Sequence, residues 1–372
     1  MKNLKKFGLL LFFVQMQLVV FAQIDNTSLE NNFLANQSNT PGVYFRMYNF
    51  NYMRNYEYFN KFADGLTYFG NILQPEFTFV QSPNLSMSAG VNLRKDYGSK
   101  GFYATQPILR IDYHQNNFRI INGALNSNVS HRLPEPIYNY DRIITDNIEY
   151  GTQFILENAN SNLDVWLNWE NMIYKISPDQ EKISGGVHYQ KNLFKKGNLS
   201  IAAPIDFLVF HKGGQIDTPD RPLISILNSS FGLTLSYIFP KATLHSENYL
   251  ITYKDFSFVK QNQYLQGQGL YLNLGVKTKM ADFILSYWQG EGFQSTHGAP
   301  IFSSVSSQIN NNGFHQDQRS LLFFRIISEF PISENFSISS RIEPYIDLNN
   351  PAFEFSNSLF LTYRENFSLT KK

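Results

Sequence analysis

Seven histidines, at positions 114, 131, 188, 211, 245, 297 and 315, are the residues of this 372-residue chain best suited to acid–base or metal chemistry near neutral pH. None stands in a His-Glu-x-x-His run or another metal-ligand spacing. No Gly-x-Ser-x-Gly elbow, phosphate loop or dinucleotide fingerprint occurs either. His245 and Glu247 share one face of an extended segment, which is a pair and not a site. Cysteine is absent, which excludes disulfides, thiolate metal centres and a cysteine nucleophile. The spacing therefore predicts no catalytic residue, no metal ligand set, no cofactor and no enzyme.

A second group of chemically capable residues is more ordered. Arg110, Arg119, Arg325, Arg341, Arg364, Glu149, Glu170 and Glu343 lie opposite an apolar stripe in segments that alternate with period two. A charge at the midplane of a lipid-facing wall costs about 2–4 kcal/mol for Arg or Lys. These side chains should therefore point into a wet lumen, where charged groups set ion preference or pair into ladders that stiffen the wall. They are the expected pore-lining residues.

The elements that must hold them are strands. The clearest is 230–239, with Phe231, Leu233, Leu235, Tyr237 and Phe239 on one face and Gly232, Thr234 and Ser236 on the other. Alternation of this kind predicts strands at 43–54, 66–81, 85–97, 102–115, 118–126, 147–158, 161–175, 181–192, 198–211, 226–239, 241–254, 266–279, 281–290, 318–330, 335–347 and 353–367. The connectors alternate short and long. Short ones are Pro-, Asn-, Ser- and Gly-rich, such as 82–84, 116–117 and 240–241. The longest of the others are 127–146 and 291–317. Strands of 10–15 residues are long for a soluble sandwich, where about 5–6 is usual. The expected fold is all-β: an antiparallel up-and-down transmembrane barrel of about 16 strands, within a range of 14–18.

Composition agrees. Aromatics make up 16% of the chain, with 34 Phe and 22 Tyr, suited to lipid-facing bands and interfacial girdles. Charged residues are 16%, below the usual quarter or so. With 31 basic against 30 acidic residues there is no basic face for nucleic acid. Lys2, Lys5 and Lys6, the apolar run 7–14 and Val20-Phe21-Ala22 form a secretory signal over 1–22. A polar periplasmic arm (23–42), the barrel (43–367) and a short tail (368–372) complete the expected organisation, located in a bacterial outer membrane.

The strand count, the loop order and the third outer loop resemble the sixteen-stranded general porins. That resemblance implies a third loop folded into the lumen as a constriction lined by Glu135, Asp141 and Arg142, facing a wall of Arg110, Arg119, Arg325, Arg341 and Arg364. It also implies a trimer. Phe-Ala-Gln at 21–23, Leu163 to Glu170 (LDVWLNWE) and the Asn/Tyr/Phe richness resemble porin-like outer-membrane barrels of the Bacteroidota type. The function expected is passive passage of small hydrophilic solutes or ions, with outer-membrane lipid as the surroundings and no nucleic-acid partner. Two alternatives stand beside it. One is a plugged barrel serving as accessory or scaffold subunit of a larger envelope complex. The other is a transporter of an apolar ligand, suggested by Trp166, Phe323 and Phe360.

Overall fold

A computed structural model describes residues 24, 26–31, 40–126, 128–217 and 221–370. The expected signal segment, 1–22, lies outside the described residues. Sixteen strands run in chain order: β1 Gly42–Glu57, β2 Thr67–Ser82, β3 Leu85–Asp96, β4 Ala104–Gln115, β5 Phe118–Ala124, β6 Tyr150–Asn158, β7 Ser161–Asn171 and β8 Lys182–Lys196. They continue as β9 Leu199–Lys212, β10 Ile224–Ile238, β11 Ala242–Asp255, β12 Gln266–Thr278, β13 Asp282–Glu291, β14 Gln318–Pro331, β15 Phe336–Asp347 and β16 Phe353–Ser368. Each pairs antiparallel with its neighbours in sequence, and β16 closes on β1, so the sheet has no open edge along its circumference. Closure satisfies the backbone groups that lipid cannot. No described helix is long and apolar enough to cross a membrane; the chain crosses with strands.

Alternation decides which way each side chain faces. On β10, Phe231, Leu233, Leu235 and Tyr237 are exposed on the outer wall, while Thr234 and Ser236 are buried inside. This is the outer-membrane barrel that the sequence pattern predicts, located in the bacterial outer membrane. Short turns gather at one end. Long loops gather at the other, taken as the outer end.

Three strand limits beside the third outer loop fall short of expectation. β5 ends at Ala124 and not at 126, because Gly123 adopts a φ of +100° that breaks the extended path. β6 begins at Tyr150 instead of 147. β7 ends at Asn171 and not at 175, after a bulge between Trp169 and Asn171. The wall is therefore low where the third outer loop leaves it. On the opposite rim, β8 runs to Lys196, past its expected end at 192, because a tight turn at Gly197 (φ +58°) continues the hairpin with β9.

The barrel is not hollow. Segment 128–149 folds inward and buries Ile137, Tyr138, Tyr140, Ile143 and Ile144. Segment 292–317 lies beside it and buries Phe293, Ile301 and Phe302 against Trp288, Tyr271 and Phe323 of the wall. From the short-turn end, residues 26–31 enter the lumen. Tyr48 donates to the Leu29 carbonyl (2.6 Å), and Arg364 donates to the carbonyls of Glu30 and Ser28 (2.7 and 2.6 Å).

Candidate functional site

The third outer loop is held to the wall by two sets of charges. The first is a chain of five groups. Asp141 meets Arg54 Nε at 2.9 Å, and Arg54 Nη1 meets Glu343 at 2.5 Å. Glu343 also meets Arg325 Nε at 3.3 Å, and Arg325 Nη2 meets Glu135 at 2.8 Å. Loop carboxylates stand at both ends and wall residues between them. Burial raises the Asp141 and Glu135 carboxyls above their ordinary range in spite of the arginines. One ring braces the chain: the Arg54 guanidinium lies 4.6 Å from the Tyr140 ring centre, and that of Arg341 lies 4.8 Å from the same ring.

The second set surrounds His131. Its Nδ1 is 2.7 Å from Asp164 on β7, and its Nε2 is 2.9 Å from Glu149, the residue just before β6. The imidazole is fully buried and stacks on Trp166 with ring centres 3.7 Å apart. Tyr138 donates its hydroxyl to Glu149, and Gln153 donates to Asp164 at 3.0 Å. Burial alone would lower the His131 pKa, but the two carboxylates outweigh it and push it up to about 9. Burial pulls Glu149 the other way, but the neighbouring charge and hydrogen bonds, His131 foremost, hold it below the ordinary range. An imidazole oriented by a carboxylate at Nδ1 is the arrangement that general-base chemistry uses. In this structure Glu149 caps the working nitrogen, so the cluster is closed.

The two inward loops are stitched together above this cluster. Asn139 N donates to the His297 carbonyl (2.7 Å), Ala299 N to Glu135 O (3.1 Å) and Ser295 Oγ to Ile137 O (2.9 Å). A Cβ on Gly298 would sit 1.9 Å from the Pro136 carbonyl oxygen, so this crossing requires glycine. His297 Nε2 lies 2.5 Å from Glu170, with Tyr138 and Phe210 rings on either side.

All eight residues expected to line a pore lie on the luminal side, but not as one facing wall. Arg325, Arg341, Glu343, Glu149 and Glu170 belong to the loop network just described. Arg110 and Arg119 instead both pair with Asp112 lower in the barrel, and Arg364 holds the N-terminal segment. Of the three constriction-loop residues, Glu135 and Asp141 meet arginines of the wall. Arg142 reaches Asp146 at 3.5 Å and Glu170 at 4.0 Å. Trp166, Phe323 and Phe360 are buried in packed clusters. His131, Asp164 and Tyr138 were not expected as a site. They lie seven to 33 positions apart in sequence, and only the inward fold of the loop unites them.

The model of the lipid A 3'-O-deacylase-type family matches residues 35–372, most of the chain. This overturns the expectation that the chain is not an enzyme, since the family is named for the removal of an acyl group. No curated protein matches the chain. Among solved structures, the outer membrane protein OmpT of Vibrio cholerae in its trimer form is similar at a TM-score of 0.52 and 9% identity. The match covers 88% of this chain and 100% of that one. The outer membrane protein OprD of Pseudomonas aeruginosa is similar at a TM-score of 0.50 and 9% identity, covering 87% of this chain and 94% of that one. At such identities these likenesses establish the barrel fold alone.

Proposed function

The chain belongs to the lipid A 3'-O-deacylase-type family, and we propose that it hydrolyses an ester-linked acyl chain of lipid A at the outer leaflet. The observation that carries the residue assignment is the His131 cluster behind the lowest part of the wall. Ala124 and Tyr150 pair at the top of β5 and β6, and Leu125 N donates to Glu149 O at 2.9 Å. The cluster thus sits directly inside the point where the wall stops. Hydrolysis needs a base to take a proton from water as it attacks the acyl carbonyl, and the alcohol oxygen of the sugar then leaves with a proton. His131 supplies the base through Nε2, with Asp164 fixing the ring from Nδ1. In the closed state two carboxylates keep the imidazole charged. Withdrawal of Glu149 on substrate binding frees Nε2 and removes one of the two charges that raise its pKa, which brings it toward the range of a working base. Tyr138, released from Glu149, has its hydroxyl free to donate to the developing oxyanion.

The test is release of free fatty acid from lipid A in mixed micelles. Wild type releases it, and His131→Asn, with the barrel intact, releases at least a hundredfold less. Equal rates in the two would remove His131 from the reaction.

A second reading is solute passage, with a homotrimer or envelope complex as its setting. It is favoured by the inward-folded third loop, whose Glu135 meets Arg325 across the lumen at 2.8 Å. Bilayer recordings test it: a channel passes current with the loop in place, whereas a plugged barrel stays silent.

A further inference from the structure

The wall itself carries a feature that bears on how a lipid substrate arrives. β4 pairs with β5 only from Arg110 to Gln115, so residues 104–109 have a partner in β3 and none on the other side. Likewise β7 pairs with β6 only up to Asn168, leaving 169–171 bound to β8 alone. The seven residues of β5 rise about 24 Å along the strand, or roughly 18 Å along the membrane normal at the usual tilt, against an apolar band of about 25 Å. The gap therefore opens within the outer leaflet. Three strand spacings separate β4 from β7, roughly 14 Å.

A cavity lies directly inside the gap. Its lip carries the apolar Ile108, Ala124, Leu125, Ile143 and Ile148 and the polar Asn147, whose amide pairs with that of Asn92. Its floor is polar, with Arg46, Gln74, Glu76, Arg110 and Asp112. Ile108 stands on the unpaired stretch of β4. Ala124 follows Gly123, whose φ of +100° turns the chain inward. Across the gap the Tyr150 hydroxyl donates to the Pro107 carbonyl at 2.8 Å, a single hydrogen bond joining β6 to β4 over the end of β5. Outside, Leu109, Ile111, Leu167 and Trp169 are exposed apolar side chains. The path is thus apolar on the lipid side and mostly apolar at the lip, which suits the hydrocarbon end of an acyl chain entering ahead of its ester and headgroup.

We infer that the gap above β5 and β6 is a lateral slot through which one acyl chain of an outer-leaflet lipid A molecule passes from the membrane to the lip of this cavity, latched by Tyr150. The inference rests on the deacylase reading and adds the route. The occupant is a hydrocarbon chain because the lip is apolar apart from Asn147, whose amide is already paired with that of Asn92. It comes from the outer leaflet because β5 seals the wall below.

The test uses a lipid A analogue with a diazirine near an acyl terminus, reconstituted with the protein and irradiated, with adducts located by mass spectrometry. Adducts on Ile148, Leu125 or Ile108 are expected, and Ile148→Trp, which fills the slot, should reduce them at least tenfold while leaving adducts on Leu109 and Ile111. Adducts confined to Leu109, Ile111 and other outward residues overturn the slot. So does inner labelling by a diazirine phospholipid and not by the lipid A analogue. Labelling is read without hydrolysis. Inner adducts without fatty-acid release would sink the deacylase reading and keep the slot, and release without inner adducts would do the reverse.

Discussion

Replacing His131 by Leu tests the loop clamp most sharply. The substitution removes the imidazolium between Asp164 and Glu149 and leaves two carboxylates buried without their shared partner. Removing one member of a buried ionic set costs about 3–5 kcal/mol. An independent route gives a similar figure: the rise of the His131 pKa from 6.5 to about 9 is worth about 3 kcal/mol. A loss of about 3–5 kcal/mol raises the opening equilibrium of segment 128–149 by about two to nearly four powers of ten. Hydrogen exchange of Ile137, Tyr138 and Ile144 amides reports this opening. Strand amides on the far side of the barrel, such as those of β11 and β12, serve as the control. The pH arm follows from the same numbers. A histidine with a raised folded pKa stabilises the closed loop fully below pH 6.5, and that contribution is lost as pH rises through about 9. Loop exchange in wild type, corrected for intrinsic rates, should therefore increase between pH 7.5 and 10, and His131→Leu should show no such increase. A change of less than tenfold in the variant at pH 7, or a wild-type loop indifferent to pH 10, would refute the clamp.

Other outcomes follow from the same contacts. Glu135→Gln removes the far end of the five-group chain and leaves Arg325 with Glu343. Protease access to residues 128–146 should rise severalfold while the barrel keeps its heat-modifiable migration on gels. Gly298→Val drives a side chain into the Pro136 carbonyl, an overpacking cost of about 1–3 kcal/mol or more, and should separate the two inward loops, seen as faster exchange at Asn139 and Ala299. In planar bilayers the wild-type barrel should be nearly silent, and removal of 129–147 should produce steady conductance steps. Equal conductance of the two proteins would contradict a plugging role for the loop.

Much of the architecture is legible in the residues. Sixteen strands, the order of short and long connectors and the inward direction of Arg325, Arg341 and Glu343 all follow from period-two alternation, because lipid forces every second side chain to be apolar. Strand ends around the third loop are not legible in this way. Ala124 and Leu125 extend the apolar composition of the strand past the point where Gly123 turns the chain, and Met172 and Tyr174 continue an apolar pattern into an exposed loop. The site is least legible of all. Motif spacing detects ligands that neighbour one another in one element, whereas His131, Glu149 and Asp164 come from a loop, a strand approach and a strand. Two signals were present: the third loop carries His131 beside Arg132 with the apolar and aromatic residues Ile137, Tyr138, Tyr140, Ile143 and Ile144 to follow, and Asp164 and Trp166 share the luminal face of β7. Neither implies the pairing without the fold.

The most direct measurement is the mass of lipid A recovered after incubation with the folded wild-type protein in outer-membrane-like vesicles. The account predicts a species lighter by one ester-linked acyl chain, together with an equimolar free fatty acid. Unchanged lipid A from a demonstrably folded barrel, with no fatty acid released, would contradict it.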